Sequence, residues 1–188
     1  FDTSPILRGA WISKNIVGTP LSPPPESVPA LEPEHGKAKT LKEQIDQHKS
    51  NKTCYACHKS IDPYGFALES FDASGEWRER YKIKQAHRST FQYSPKGYFK
   101  IGAPVDASGE MGADKFENIF GLKRVLVSNE RKIAYNFAKK FFEYARGGKP
   151  NLEQRLYLWD FLGKAEENVR LKNIVTEVLI KTLNESKE

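Results

Sequence analysis

The stretch HKSNKTCYACHKSIDP, residues 48–63, contains both cysteines of the chain and two of its four histidines. Within it, Cys54, Cys57 and His58 form the pattern C-x-x-C-H. On a helical turn, two thiols with this spacing reach the two vinyl groups at one edge of a porphyrin, and the imidazole that follows is aimed at the iron. The stretch therefore predicts one covalently attached haem c, tethered by Cys54 and Cys57 and ligated by His58.

Three other interpretations of the cysteines remain open at this point. A zinc ion could be held by Cys54, Cys57, His58 and His48, although the adjacent Cys57 and His58 fit one tetrahedral ion poorly. A redox-active dithiol is a second alternative, but it expects a thioredoxin-like βαβ context that the sequence does not show. The third is a pair of buried thiols without chemistry.

Composition excludes several classes of protein. The chain has 188 residues, enough for one large or two small domains, and contains no apolar run long enough to predict a membrane span. Its net charge is +6, but 30 basic residues are spread among 24 acidic ones. We therefore predict a solvated basic surface, or a docking face for an acidic redox partner, rather than a nucleic-acid-binding protein.

The sequence also suggests where the protein works. Haem c attachment consumes both cysteines and requires an extracytoplasmic compartment, so we expect a periplasmic or otherwise extracytoplasmic location. The chain opens FDTSPILRGAW, with neither an initiator Met nor a signal peptide. We therefore expect it to be a mature product or a piece of a longer protein.

Periodicity predicts a mainly α fold. A helix over 4–18 is followed by a proline-rich strap over 19–34, and by a helix over 40–51 that begins with a capping box of Thr40 and Glu43. Alternating β-prone pieces over 80–106 predict a small hairpin. Further helices are predicted over 116–129, 130–148, 151–168 and 170–186. We infer a c-type haem-binding domain over 1–103 and a small helical bundle over 104–188.

Residues after the motif supply candidates for a haem pocket. Phe66, Leu68 and Phe71 are apolar, and Arg78 with Trp77 could hold a propionate. Ordinary core packing or a surface salt bridge is the alternative for each. Gly65 would permit an unusual backbone angle or a close approach to the haem.

The segment DPYGFALESFDASGEWR, together with the preceding HKSNKTCYACH, resembles planctomycete-type multidomain c-type cytochrome proteins built from domains of unknown function. RGAWISKNIVGTPLSPPPESVPALE, PVDASGEM and KKFFEYARGGKP are similar to flanking parts of the same proteins. The resemblance implies a haem domain and a following helical domain at the C-terminal end of a larger secreted protein, whose other domains would be partners. It implies no particular enzymatic activity.

The sixth iron ligand decides the chemistry. His48 matches the family's motif and falls on the apolar face of its predicted helix, so it is the preferred ligand opposite His58. Met111, His35, His87 and an open iron are the alternatives. Two imidazole ligands favour one-electron transfer rather than enzymatic catalysis. An open-iron enzyme of peroxidase type and a haem-stabilised structural or docking module remain as alternative functions.

Overall fold

The structure is a computed structural model that describes residues 3–22, 40–48, 52–84, 99–164 and 170–185. Most of these residues are helical, which confirms the mainly α prediction, and two small antiparallel hairpins accompany the helices. The helices are α1 Pro5–Ile12, a π-helical turn Ser13–Val17, α2 Leu41–His48, α3 Lys52–His58, α4 Asp62–Ala67, α5 Ile119–Val127, α6 Glu130–Arg146, α7 Leu152–Lys164 and α8 Leu171–Glu185. The strands are β1 Arg80–Lys84, β2 Phe99–Pro104, β3 Gly109–Met111 and β4 Asp114–Phe116.

The chain forms two compact units. Unit 1 consists of Phe1–Ile12 and Leu21–Lys123, and unit 2 consists of Ser13–Pro20 and Arg124–Glu188. The predicted haem-binding domain over 1–103 and helical domain over 104–188 are regions expected to fold on their own, which is a different property from compactness. That division therefore remains a prediction. Most of the proline-rich strap lies outside the described residues. Within the part of the chain that the structure describes, no helix has the length and apolar character needed to cross a bilayer.

In unit 1, α1 crosses α4 so closely that their backbones touch. A Cβ added to Gly65 would lie 2.0 Å from the carbonyl oxygen of Pro5, and one added to Gly9 would lie 2.1 Å from that of Ile61. Only glycine leaves room for this crossing. The φ angle of Gly65 is not positive, and its close approach is to α1. The two glycines therefore fix the position of the chain immediately before and within α4.

The end of α1 is also tied to the turn that follows α4. The Arg8 guanidinium donates hydrogen bonds to the carbonyl oxygens of Leu68 at 3.1 Å, Phe71 at 2.7 Å and Asp72 at 2.9 Å. One side chain thus donates to three carbonyl groups of a non-helical segment, of which the Leu68 carbonyl also accepts from the backbone N–H of Phe71 at 2.9 Å. The contact holds residues 68–72 against α1.

The predicted hairpin is present, and a second one was missed. β1 pairs antiparallel with β2, with Arg80 opposite Pro104 and Lys84 opposite Phe99. β3 pairs with β4 through a two-residue turn in which Gly112 has a φ of 64°. The prediction of a helix from residue 116 was therefore wrong at its start.

The late start of α5 has a local cause. The side-chain oxygen of Asn118 accepts hydrogen bonds from the backbone N–H groups of Phe120 at 3.0 Å and Gly121 at 3.2 Å. Asparagine is a preferred N-cap because its side chain satisfies donors that the first turn leaves unpaired. The cap consequently sets the helix boundary after β4.

Unit 2 contains a bundle of α6, α7 and α8, which are three of the four helices predicted after residue 115. Its core consists of buried residues from all three helices: Ala138, Phe142, Leu158, Leu162, Ile174 and Val178. The Asn136 side chain donates to the carbonyl oxygens of Asn15 at 2.8 Å and Ile16 at 3.1 Å, which ties the π-helical turn to α6. Asn151 and Gln154 form a reciprocal cap of α7.

Candidate functional site

The C-x-x-C-H motif forms α3, which brings its three functional side chains to neighbouring positions. At about 100° per residue, Cys54 lies between Cys57 and His58 around the helix axis. Both thiols are half-buried and neither is in a disulfide. The motif therefore presents two reduced sulfurs and an imidazole along one side of a single short helix.

A buried carboxylate fixes the imidazole. His58 Nδ1 lies 2.8 Å from Asp62 Oδ1, one helical turn further along the chain. The two side chains are 12% and 3% exposed, respectively, so the bond is largely shielded from water. An ionised carboxylate only accepts hydrogen bonds, so Nδ1 donates and Nε2 is the nitrogen left with a lone pair in the neutral ring.

The bond depends on the turn between the helices. The backbone N–H of Ile61 donates to the carbonyl of His58 at 3.0 Å, and the N–H of Ser60 donates to that of Cys57 at 3.1 Å. Asp62 then begins α4, whose approach to α1 is set by the glycine crossing. The sequence thus places His58 and Asp62 on two adjacent helices joined by a tight, hydrogen-bonded turn.

A cavity of about 760 Å³ lies beside His58. This volume falls within the range of roughly 300–1,000 Å³ that is typical of ligand pockets. Its apolar lining residues are Tyr55, Pro63, Phe66 and Phe116, and its charged ones are Lys42, Asp46, Lys59, Asp62, Glu110 and Lys115. The cavity thus combines apolar walls with a mixed rim of both charge signs. Cys54 and Cys57 are not among the described residues that line it.

Lys42 joins α2 to the loop before β3 at one side of this cavity. Its Nζ lies 2.8 Å from Asp106 Oδ2 and 2.9 Å from the Ser108 carbonyl oxygen, and 5.2 Å from the centre of the Phe66 ring. Burial alone would raise the pKa of Asp106, but its hydrogen bonds with Lys42 and Ser108 outweigh burial and lower it. The lysine therefore connects two walls of the cavity through a charged contact and an aromatic one.

Arg78, predicted to hold a propionate, is engaged elsewhere. Its guanidinium donates to Glu69 Oε2 at 3.0 Å, to the Glu69 carbonyl at 2.8 Å and to Thr3 Oγ1 at 2.6 Å. Glu69 is 1% exposed and Arg78 is 8% exposed. Burial and the nearby Glu69 raise the pKa of Tyr81, whose ring lies under the guanidinium. Arg78 is not among the described residues lining the cavity, and its contact with a propionate stays a prediction.

The other predicted site residues divide into three groups. Phe66 is 3% exposed and lines the cavity together with His58, so the structure brings these two together. Met111 lies in β3 and is not among the described lining residues. His48 is the last residue of α2, but its side chain lies outside the described part, as do His35 and His87.

No group of three or more His, Cys, Asp or Glu side chains suited to a metal ion occurs among the described residues. The zinc alternative depended on His48, whose side chain is not described. Metal analysis and intact mass of the protein would distinguish zinc from the other interpretations of the cysteines.

Sequence reasoning missed two features of this site. Asp62 was not linked to His58, although its spacing of four residues from His58 is the spacing at which side chains meet on a helix. The contact of Lys42 with Asp106 joins residues 64 positions apart, and no local pattern could reveal it. The first feature was visible in the sequence, and the second required the fold.

In comparisons with known proteins, a family model matches the part of the chain that contains the C-x-x-C-H motif. No curated protein and no solved structure matches the chain. The matched region contains α1 to α4, and with them the glycine crossing, both cysteines, His58 and Asp62. Residues 1–81 match the model of the family described as PSCyt3, a protein of unknown function (DUF1588).

Proposed function

We propose that this chain is a c-type cytochrome domain that carries one covalently bound haem and transfers single electrons. The observation that carries the proposal is the hydrogen bond between His58 Nδ1 and Asp62. His58 lies on α3, the helix that also holds the two free thiols. Histidines that ligate metals usually donate their other ring N–H to a carboxylate or carbonyl group. The site has this arrangement beside a cavity of ligand size.

The residues present fit the group. Cys54 and Cys57 are both available as free thiols for thioether bonds, and His58 offers Nε2 to an iron ion. Phe66 and Phe116 supply buried apolar surface that would exclude water from a porphyrin face. Lys59 and Lys115 line the same cavity, so their positive charges could pair with the propionates of a haem. Arg78 is less suited to this role because it already bonds Glu69. When bound, the haem would supply a one-electron ferric/ferrous couple.

The proposal retains His48 as the sixth ligand. Helix α2 contributes Lys42 and Asp46 to the cavity lining and ends at His48. Two imidazoles give a low-spin iron with a lower potential than a histidine and a methionine do. A His48→Ala variant should become high-spin and bind cyanide quickly, which optical and magnetic spectra would report. An unchanged low-spin spectrum would exclude His48 and move attention to Met111.

The proposal includes a location and a context. Thioether formation takes place outside the cytoplasm, so the chain would act in the periplasm or beyond, as part of a larger secreted protein. Its partners would be a redox protein, acidic if it meets the net charge of +6, and the remaining domains of the parent protein.

The decisive experiment measures attachment. The chain is produced in cells that export it and mature c-type cytochromes, and is then analysed by intact mass and by the pyridine haemochrome spectrum. The wild type should carry the mass of one haem and the spectrum of two thioether bonds. Cys54→Ala or Cys57→Ala should leave one thioether, and the double variant none.

The matched control is Ala56→Ser, because Ala56 is exposed and lies between the two cysteines without belonging to the motif. This variant should retain the haem at the wild-type level. A wild-type chain with two free thiols and no mass increase would end the cytochrome proposal. Zinc at one equivalent in that protein would instead support the metal-ion alternative.

The open-iron alternative is tested on the same material. A peroxidase-type enzyme needs a vacant iron position and a distal acid or base. Haem-loaded wild type that is high-spin and reacts rapidly with peroxide would favour that function over electron transfer. Sluggish electron exchange combined with tight binding to another part of the parent protein would favour the docking module.

A further inference from the structure

We propose that Asp62 is a positioning residue that lowers the reduction potential of the iron by holding His58 and donating negative charge to its ring. This inference rests on the proposed haem. The hydrogen bond of 2.8 Å is shielded on both sides, because the His58 and Asp62 side chains are 12% and 3% exposed. A carboxylate in such surroundings interacts more strongly than it would in water.

Asp62 is a buried carboxylate whose Oδ1 lies within hydrogen-bond distance of the imidazole of the motif. Burying an ionised carboxylate costs free energy unless a partner compensates. As the first residue of α4, Asp62 could have pointed its side chain to the helix N-terminus, where acidic residues are favourable. Its Oδ1 instead bonds the imidazole of the C-x-x-C-H motif.

The fold holds this carboxylate at a fixed distance. Ile61, the residue before Asp62, has its carbonyl oxygen pressed against Gly9 of α1, and Gly65 is pressed against Pro5. A backbone confined on both sides of Asp62 cannot shift without opening the helix crossing. The hydrogen bond would therefore hold the His58 ring in the same orientation if Nε2 held a metal ion.

The chemical consequence concerns the two oxidation states of the iron. A carboxylate that accepts a hydrogen bond from Nδ1–H makes the ring more electron-rich, so Nε2 becomes a stronger donor. A stronger donor stabilises ferric iron, which carries one more positive charge than ferrous iron. The pair therefore favours the oxidised protein. Outer partners of metal-bound histidines typically change metal affinity by about 10–100-fold. A tenfold change in the preference for ferric over ferrous iron corresponds to about 59 mV for a one-electron couple.

The test is Asp62→Asn in the haem-loaded chain. The amide oxygen of asparagine can still accept a hydrogen bond from Nδ1–H, so this variant keeps the shape of the side chain and removes its charge. The midpoint potential should rise by at least about 59 mV, which is the tenfold shift. Glu110→Gln is the control, because Glu110 is an exposed residue of β3 that lines the same cavity and loses the same charge. Its potential should move by less than half as much.

Equal shifts in the two variants, or no shift in Asp62→Asn, would overturn the inference while leaving the haem in place. If Asp62→Asn fails to fold, the hydrogen bond is tested in the wild-type protein instead. The Nδ1 proton of His58 should then appear as a slowly exchanging resonance in 15N-edited NMR of the reduced protein, and a ring without that proton refutes the bond. A wild type that carries no haem overturns the proposed function as well, which distinguishes the two failures.

Discussion

Replacing Gly65 with alanine should open the crossing of α1 and α4. The added Cβ would lie 2.0 Å from the Pro5 carbonyl oxygen, whereas real Cβ atoms essentially never come within 3.0 Å of a heavy atom outside their own and the adjacent residues. The two backbones must therefore separate by at least about 1 Å. The atom in the way belongs to the backbone, so no side-chain rotation can relieve the clash.

The cost follows from what the separation disrupts. Every residue of α4 is buried, and the Arg8 side chain spans from α1 to the carbonyls after α4 with bonds as short as 2.7 Å. Overpacking of a core costs about 1–3 kcal/mol, and a backbone clash belongs at the upper end. We expect a loss of about 3 kcal/mol, equivalent to a fall in Tm of roughly 6–12 °C for a chain of this size.

Thermal and urea denaturation, followed by circular dichroism and tryptophan fluorescence, measures this loss. Gly148→Ala is the matched control, since a Cβ at Gly148 meets nothing within 4 Å and its φ is not positive. This control should change the free energy of unfolding by less than about 0.5 kcal/mol. A Gly65→Ala variant as stable as the control would show that the two helices do not touch through their backbones, and the reasoning would fail.

Two further predictions concern charged contacts. Lys42→Met should lower the free energy of unfolding at neutral pH by no more than about 1 kcal/mol, because the Asp106 side chain is 54% exposed. Because the folded state lowers the pKa of Asp106, the pair stabilises the protein above the ordinary carboxyl pKa of about 4 and loses this effect as the pH falls through the lowered value. As the pH is lowered, the free energy of unfolding should therefore fall less steeply in the variant than in the wild type. Parallel curves would show that Lys42 does not lower the pKa of Asp106. Glu69→Ala should cost about 3–5 kcal/mol in urea denaturation, because it leaves the buried Arg78 without its counter-charge, whereas the exposed Glu76→Ala should be neutral within about 0.5 kcal/mol. A Glu69→Ala variant as stable as Glu76→Ala would show that the Arg78 guanidinium finds water or another partner.

Features that depend on neighbouring residues were predictable from the sequence. The capping boxes of Thr40 with Glu43 and of Asn151 with Gln154 are both present, because each is complete within four residues. The end of α6 is also local, since Gly147 follows its last residue with a left-handed φ of 74° that glycine readily adopts. Such signals need no tertiary structure in order to act.

Features that join distant parts of the chain were not predictable in this way. Arg78 is a long, charged side chain near a cofactor motif, and the sequence suggested a role at the haem. In the structure it bonds Thr3, which is 75 residues away. A single sequence cannot show that residues 3 and 78 meet. The same limit explains why β3 and β4 were missed and why Phe116 of β4 was assigned to a predicted helix, since three-residue strands carry little periodicity of their own.

The bond from Asn136 to the π-helical turn has a consequence for the order in which the chain folds. Asn15 and Asn136 are 121 residues apart, so closing this loop costs about 4 kcal/mol of chain entropy beyond a constant. At 5–20 residues per second, residue 15 leaves the ribosome roughly 6–24 s before its partner does. The crossing of Gly9 with α4 spans fewer than half as many residues and can form first. Residues 13–20 therefore wait for their α6 partner during synthesis. The crossing of α1 with α4 in unit 1 can form in that time, whereas the rest of unit 2 has not yet been made.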